Sequence, residues 1–134
     1  MTKADTAARN ARFEQIAKEA DAAGFEAAEA ATPAAMIVTQ RANPFDDTSE
    51  IQRAWHVPEG VCGFAWVSLA KSNDAFARWA KRHAGFRPAD PWMGVYKWVS
   101  VGGQSYERKI AYATAYAKVL ADNGIGAYGS GRLD

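Results

Sequence analysis

Near the N-terminus, apolar side chains recur at helical spacing: Phe13, Ile16, Ala17 and Ala20 form a stripe in an Ala-, Glu- and Lys-rich stretch over residues 5–31. This pattern predicts one long helix or two short ones. Thr2 or Asp5 serves as N-cap, Gly24 is a weak point, and Thr32-Pro33 marks the end, because the residue before a proline is pushed out of the α region. Residues 36–39 form a short β-type run, and 42–50, with Asn43-Pro44 and Asp46-Asp47, read as a mobile loop. The runs 51–57 and 61–69 flank Pro58-Glu59-Gly60, which predicts a β-hairpin with Gly60 at positive φ. In the second run, Cys62, Phe64, Trp66 and Ser68 share one face and Gly63, Ala65, Val67 and Leu69 the other. Both faces are largely apolar, as in a central strand.

Ser72 or Asn73 then caps a helix with the stripe Phe76, Trp79, Ala80 and His83. Lys81, Arg82 and His83 stand at its negative end, and Gly85 stops it. A proline-bearing loop, 86–93, leads into a strand over 94–101 in which Tyr96, Trp98 and Ser100 alternate with Val95, Lys97 and Val99. Gly102-Gly103-Gln104-Ser105 turns directly into a helix that runs to about Asn123. Its inner stripe is Ile110, Ala113, Ala117 and Leu120, with Tyr112 and Tyr116 one turn apart. A short strand over 125–128 precedes a polar tail, 130–134. The order implies a single α+β domain over 1–134, with an N-terminal helical segment (1–33) followed by a sheet and two crossover helices (34–134). Right-handed crossovers and a mixed sheet of four to five strands are expected, with helices mainly on one face. Aromatic side chains on the other face then have no intramolecular partner, which points to an oligomer or a ligand.

Composition narrows the class without naming a reaction. At 134 residues, with 49% hydrophobic and 23% charged positions, the chain has enough apolar content to bury one core and is unlike a disordered or disulfide-scaffold sequence. The single cysteine, Cys62, excludes an intramolecular disulfide and a multi-cysteine zinc site. No membrane span, secretion signal or cofactor signature is read. An intracellular protein is expected. The net charge of +1 hides a division: residues 1–70 carry six basic against ten acidic side chains, and 71–134 carry ten against five. The basic half reads either as an anion-binding face or as solvated surface complementing the acidic half.

Three places hold candidate chemistry. At the strand-to-helix junction, Gly103, Gln104 and Ser105 offer backbone approach and a helix N-terminus to an anion, with Arg108 and Lys109 in the next turn. The Gly-Lys-Ser/Thr ending of a P-loop is absent, Glu107 opposes an anion, and the alternative is a plain turn with Ser105 as cap. The run from Cys62 to Leu69 resembles the RNP1 strand of an RNA-recognition motif, whose aromatic side chains stack on bases. Cys62 stands there in place of the basic residue, Leu69 replaces the last aromatic, and an extra strand-helix-strand follows. A Trp66–Trp98 pair on adjacent strands serves a core equally well. Lastly, Cys62 faces His56 across the expected hairpin, the pairing an activated thiol needs, although nothing orients the histidine. His83 complements a helix dipole, and no metal set is read.

The segments 60–67, Trp98-Val99-Ser100, 103–109, Gly124-Ile125, Ala127-Tyr128 and Arg132-Leu133-Asp134 together resemble a set of small uncharacterised proteins encoded by tailed bacteriophages, over roughly the C-terminal 80 residues. The resemblance implies a viral origin, in the infected host cell or the virion, and carries no assigned activity. It singles out Gln104, Ser105, Glu107, Arg108 and Arg132 as polar positions for a shared binding role. Three functions follow. The first is a non-enzymatic phage protein acting by protein–protein contact, as a minor virion component or a host-directed factor. The second is nucleic-acid binding through Phe64, Trp66 and Trp98, with Lys97, Arg108, Lys109 and Arg132 on phosphates. The third is anionic ligand or nucleotide binding at Gly103, Gln104, Ser105, Arg108 and Arg132. With no catalytic constellation, an enzyme ranks last.

Overall fold

The computed structural model describes residues 1–134. Helix α1 (Lys3–Ala30) is one unbroken helix opened by a capping box: the Thr2 hydroxyl accepts from the Asp5 N–H, and the Asp5 carboxylate accepts from the Thr2 N–H. Gly24 is a packing position, since a Cβ there would stand 2.5 Å from the Tyr112 ring. After α1 come β1 (Met36–Arg41), β2 (Ile51–Val57), β3 (Gly63–Leu69), α2 (Ala75–His83), β4 (Arg87–Asp90), β5 (Gly94–Trp98), α3 (Tyr106–Asp122) and β6 (Ala127–Leu133). The class is α+β, with a long N-terminal helix, as the apolar periodicity predicts.

Strands β3 to β6 form a four-stranded sheet in the order β4-β5-β3-β6, and every ladder in it is antiparallel. The expected mixed sheet is therefore antiparallel between all neighbours. Each crossover helix skips one place: α2 links β3 to β4 with β5 between them, and α3 links β5 to β6 with β3 between them. This is the β-α-β-β-α-β arrangement of a split βαβ unit. It also accounts for the strand-helix-strand that looked surplus after 62–69, because β3 opens the unit rather than closing it.

Three sequence expectations are corrected. The hairpin across Pro58-Glu59-Gly60 does not form; β2 pairs instead with β1, from Met36 opposite Val57 to Arg41 opposite Ile51. Residues 42–50 close that hairpin, with the Ala42 N–H donating to the Glu50 carbonyl at 2.8 Å. The turn at Gly60 is present (φ 73°), but it steers the chain from this arm into the body, where both edges of β3 are taken by β5 and β6. The loop 86–93 contains β4, whose Pro88 is tolerated because the strand lies at a sheet edge. The polar tail 130–134 is mostly strand, since β6 pairs with β3 from Leu133 opposite Gly63 to Ala127 opposite Leu69. A smaller difference lies at α2, where Asp74 rather than Ser72 or Asn73 is the cap, accepting from the Ala77 N–H at 2.8 Å.

The core lies between the sheet and the helices. Ala65, Val67 and Leu69 of β3 and Val95 of β5 are buried on the helix side together with Ala113, Tyr116, Ala117 and Leu120 of α3. Helix α3 can approach β6 because of its glycines: a Cβ on Gly129 would lie 2.9 Å from the Ala113 backbone, and one on Gly131 2.8 Å from the Tyr106 ring. Helix α1 covers α3 and touches α2 through Phe13, whose ring meets that of Phe76 edge-on at 5.2 Å. Tyr112, buried beneath α1, donates its hydroxyl to the Asp21 carboxylate. The opposite face of the sheet carries no helix.

Candidate functional site

The residues singled out by sequence fall into two groups. At the start of α3, the turn is made by Gly102 and Gly103, both at positive φ (86° and 60°), and the buried Ser105 caps the helix, its hydroxyl accepting from the Arg108 N–H at 3.3 Å. The Tyr106 N–H donates to the Val61 carbonyl at 3.0 Å, and the Gln104 carbonyl accepts from the Gly63 N–H at 3.2 Å. Glu107 accepts from the Ala34 N–H at 2.6 Å. Arg108 donates to the Glu59 carboxylate at 2.7 Å and to the Ala28 carbonyl at 2.6 Å. The junction thus spends its hydrogen-bonding groups on holding α3 to the end of α1 and to the connection after β2. Gly103 and Gln104 remain exposed at its rim.

The second group is the helix-free face of the sheet. Alternation along β3 puts Phe64, Trp66 and Ser68 on it, and the register adds Trp98 and Tyr96 from β5 and Tyr128, Ser130 and Arg132 from β6. Trp66 and Trp98 are directly opposite, with ring planes 5° apart and centroids at 5.9 Å; Phe64 lies 5.5 Å from Trp98. Two cations converge on Phe64: the Arg132 guanidinium at 5.6 Å and the Lys109 ammonium at 5.5 Å from the ring centroid. Lys109 is buried and also donates to the Gly63 carbonyl at 3.2 Å. Neither cation has a carboxylate partner, since the ion pairs are Lys18–Glu14, Arg108–Glu59 and Lys118–Asp122. Ser68, between Tyr96 and Tyr128, is fully buried and its hydroxyl has no partner.

The four cations assigned to phosphates from sequence do not form one patch. Lys97 lies on the helix side of the sheet, donates to the Ala84 carbonyl at 3.0 Å and sits 5.8 Å from the Tyr116 ring. Burial holds its pKa below the ordinary lysine value, partly offset by Asp21. Burial likewise raises the pKa of Tyr112 and Tyr116, Asp21 adding to both. Arg108 is committed to Glu59 and the end of α1. Cys62, half-buried beside Ser105, is not across a hairpin from His56, which stands on β2. No group of three or more His, Cys, Asp or Glu side chains is gathered to hold a metal ion, and no helix is long and apolar enough to cross a membrane.

Sequence reasoning misses one feature outright. The β1–β2 hairpin is an arm with no buried residue: half of β1 and all of β2 but Val57 are exposed, Ile37, Ile51 and Trp55 among them, and Phe45 is 98% exposed near its tip. The signal was the strong β propensity of 51–57 with no apolar face matching the rest of the sheet. No family model matches this chain, and no curated protein or solved structure is significantly similar to it.

Proposed function

We propose that this chain is a non-enzymatic protein that works by protein–protein contact, with the β1–β2 arm as its contact element. One observation carries the reading: the arm exposes Ile37, Phe45, Ile51 and Trp55, and no other element of its own chain packs extensively against it. Two-stranded hairpins are marginally stable in water, and apolar groups on such a ribbon gain burial only against a partner. The bacteriophage resemblance supports a virion component or a host protein as the partner. Native mass spectrometry of the gently purified protein tests it. An oligomer or a retained protein partner is expected, and Ile37→Ser with Trp55→Ser should disperse it. A bare monomer at micromolar concentration, or one carrying only an oligonucleotide, overturns the reading.

A second reading is supported by the aromatic face, where Phe64, Trp66 and Trp98 adjoin with Arg132 and Lys109 on Phe64. Single-stranded nucleic acid would stack there. With Arg132 meeting one phosphate, Lys109 being buried, the logarithmic salt slope should be about −0.7. Quenching of tryptophan fluorescence by an oligonucleotide, lost in Trp98→Ala and Arg132→Ala, is the expected result. Binding untouched by those changes excludes this face.

A further inference from the structure

Three adjoining hollows run along the seam between α1 and α2, and Trp79 and His83 line all three. The one of ≈ 240 Å³ is walled by Arg9 and Asn10 from α1 and by Arg78, Trp79, Arg82 and His83 from α2, with no carboxylate among its lining residues. Core packing assembles it. Phe13 of α1 meets the ring of Trp79 at 5.8 Å, which brings Arg9, one turn before Phe13, up to Arg78 and Arg82, one turn apart on α2. His83 lies against Trp79 at 5.6 Å. None of the three arginines is in an ion pair. Arg9 donates to Asn10 and Met1, Arg78 gives one N–H to the Asn73 carbonyl, and Arg82 makes no hydrogen bond within the chain.

Like charges one helical turn apart oppose each other, and a third guanidinium from another helix adds to that repulsion. The negative end of the α2 dipole accounts for Arg82 and His83 but not for Arg78, in its first half, or Arg9, on another helix. A bound anion compensates all of them, and guanidinium forks match phosphate oxygens in pairs. The neighbouring hollows, ≈ 300 and ≈ 480 Å³, share the Trp79 wall, and Glu14 lines both, with Asp21 lining the smaller. In the smaller hollow Lys18 and Lys97 only balance these carboxylates, and the larger has no lysine or arginine in its lining, so neither offers surplus positive charge to a second anionic group and a polyanion such as a nucleic-acid strand fits poorly.

We infer that the Arg9–Arg78–Arg82 cleft is a binding site for a single phosphate group carried on a small molecule with a flat ring, the ring lying along Trp79. Titration of the full chain with inorganic phosphate and with adenosine monophosphate at fixed ionic strength, followed by calorimetry and by amide NMR shifts, tests this. Both probes should bind saturably at one site, the nucleotide more tightly. Arg78→Ala with Arg82→Ala should weaken both by about tenfold or more, since each charge-assisted bond is worth about that much. Both positions are exposed, so the melting temperature should hold. Trp79→Phe should weaken the nucleotide and spare phosphate. The inference is overturned by binding that survives the double substitution, by absence of saturation up to about 10 mM (about 2.7 kcal/mol), or by an oligonucleotide that competes more strongly than the monophosphate. Equal affinity for the two probes overturns the role given to Trp79.

Discussion

Strands β2 and β3 are each seven residues long and each carries a tryptophan, yet their fates differ. Every residue of β3 is buried or half-buried, whereas in β2 every residue but Val57 is exposed. The difference lies in what each strand meets. β3 has a partner strand on both edges and α3 against one face; β2 has β1 on one edge and no helix or strand packed extensively against either face. Local pairing makes both strands, but only burial makes one of them part of a folded body. The sheet and helices should therefore hold the stability of the chain and the arm its contacts.

The largest test of that division is Leu120→Ala, which empties a fully buried position of α3 and should cost about 2–5 kcal/mol. A chemical-denaturation midpoint that barely moves would deny α3 its place in the core. Alkaline pH comes next. The pKa values of Tyr112 and Tyr116 are raised in the folded chain, so their contribution is fully present below the ordinary tyrosine value of 10.0 and is lost as pH rises beyond it. Depression of the Lys97 pKa acts oppositely, stability rising with pH between its folded and unfolded values. Thermal melts from pH 7 to 11 should show a fall above pH 10 that Tyr112→Phe with Tyr116→Phe flattens. Gly24→Ala drives a methyl group into the Tyr112 ring and should cost about 1–3 kcal/mol. Last, Trp55→Ser in the arm should change the stability of the isolated chain by less than about 0.5 kcal/mol. Amide exchange sharpens the contrast, with fast exchange at 36–57 and protection at 63–69.

How far the sequence discloses this molecule depends on what each signal measures. The central place of β3 was legible because Phe64, Ala65, Trp66, Val67 and Leu69 make both faces apolar, and the long helix because Phe13, Ile16 and Ala20 keep one stripe. Pro58-Glu59-Gly60 misled because turn chemistry says that the chain turns, not which strand it returns to. Of β6 only the start was legible, within the strand read over 125–128; its continuation was hidden by Gly129 and Gly131, poor strand formers that let α3 settle on the backbone. The aromatic face was legible from alternation alone, which also puts Lys97 on the face opposite Trp98; its pairing with the buried Val67 shows that face to be the helix side. The cleft of Arg9, Arg78 and Arg82 was not legible, since residues far apart in sequence meet only through the packing of Phe13 on Trp79.

The bonds at the first turn of α3 have a mechanical meaning. Both roots of the arm end there: Ala34, just before β1, is held by Glu107, and Glu59, just after β2, by Arg108. Two adjacent side chains of opposite charge therefore act as the arm's hinge pins. Tension applied to the arm by whatever grips it is delivered to the head of α3, and through α3 to the glycine-lined strand beneath, so the arm pulls on the middle of the molecule rather than peeling at its rim.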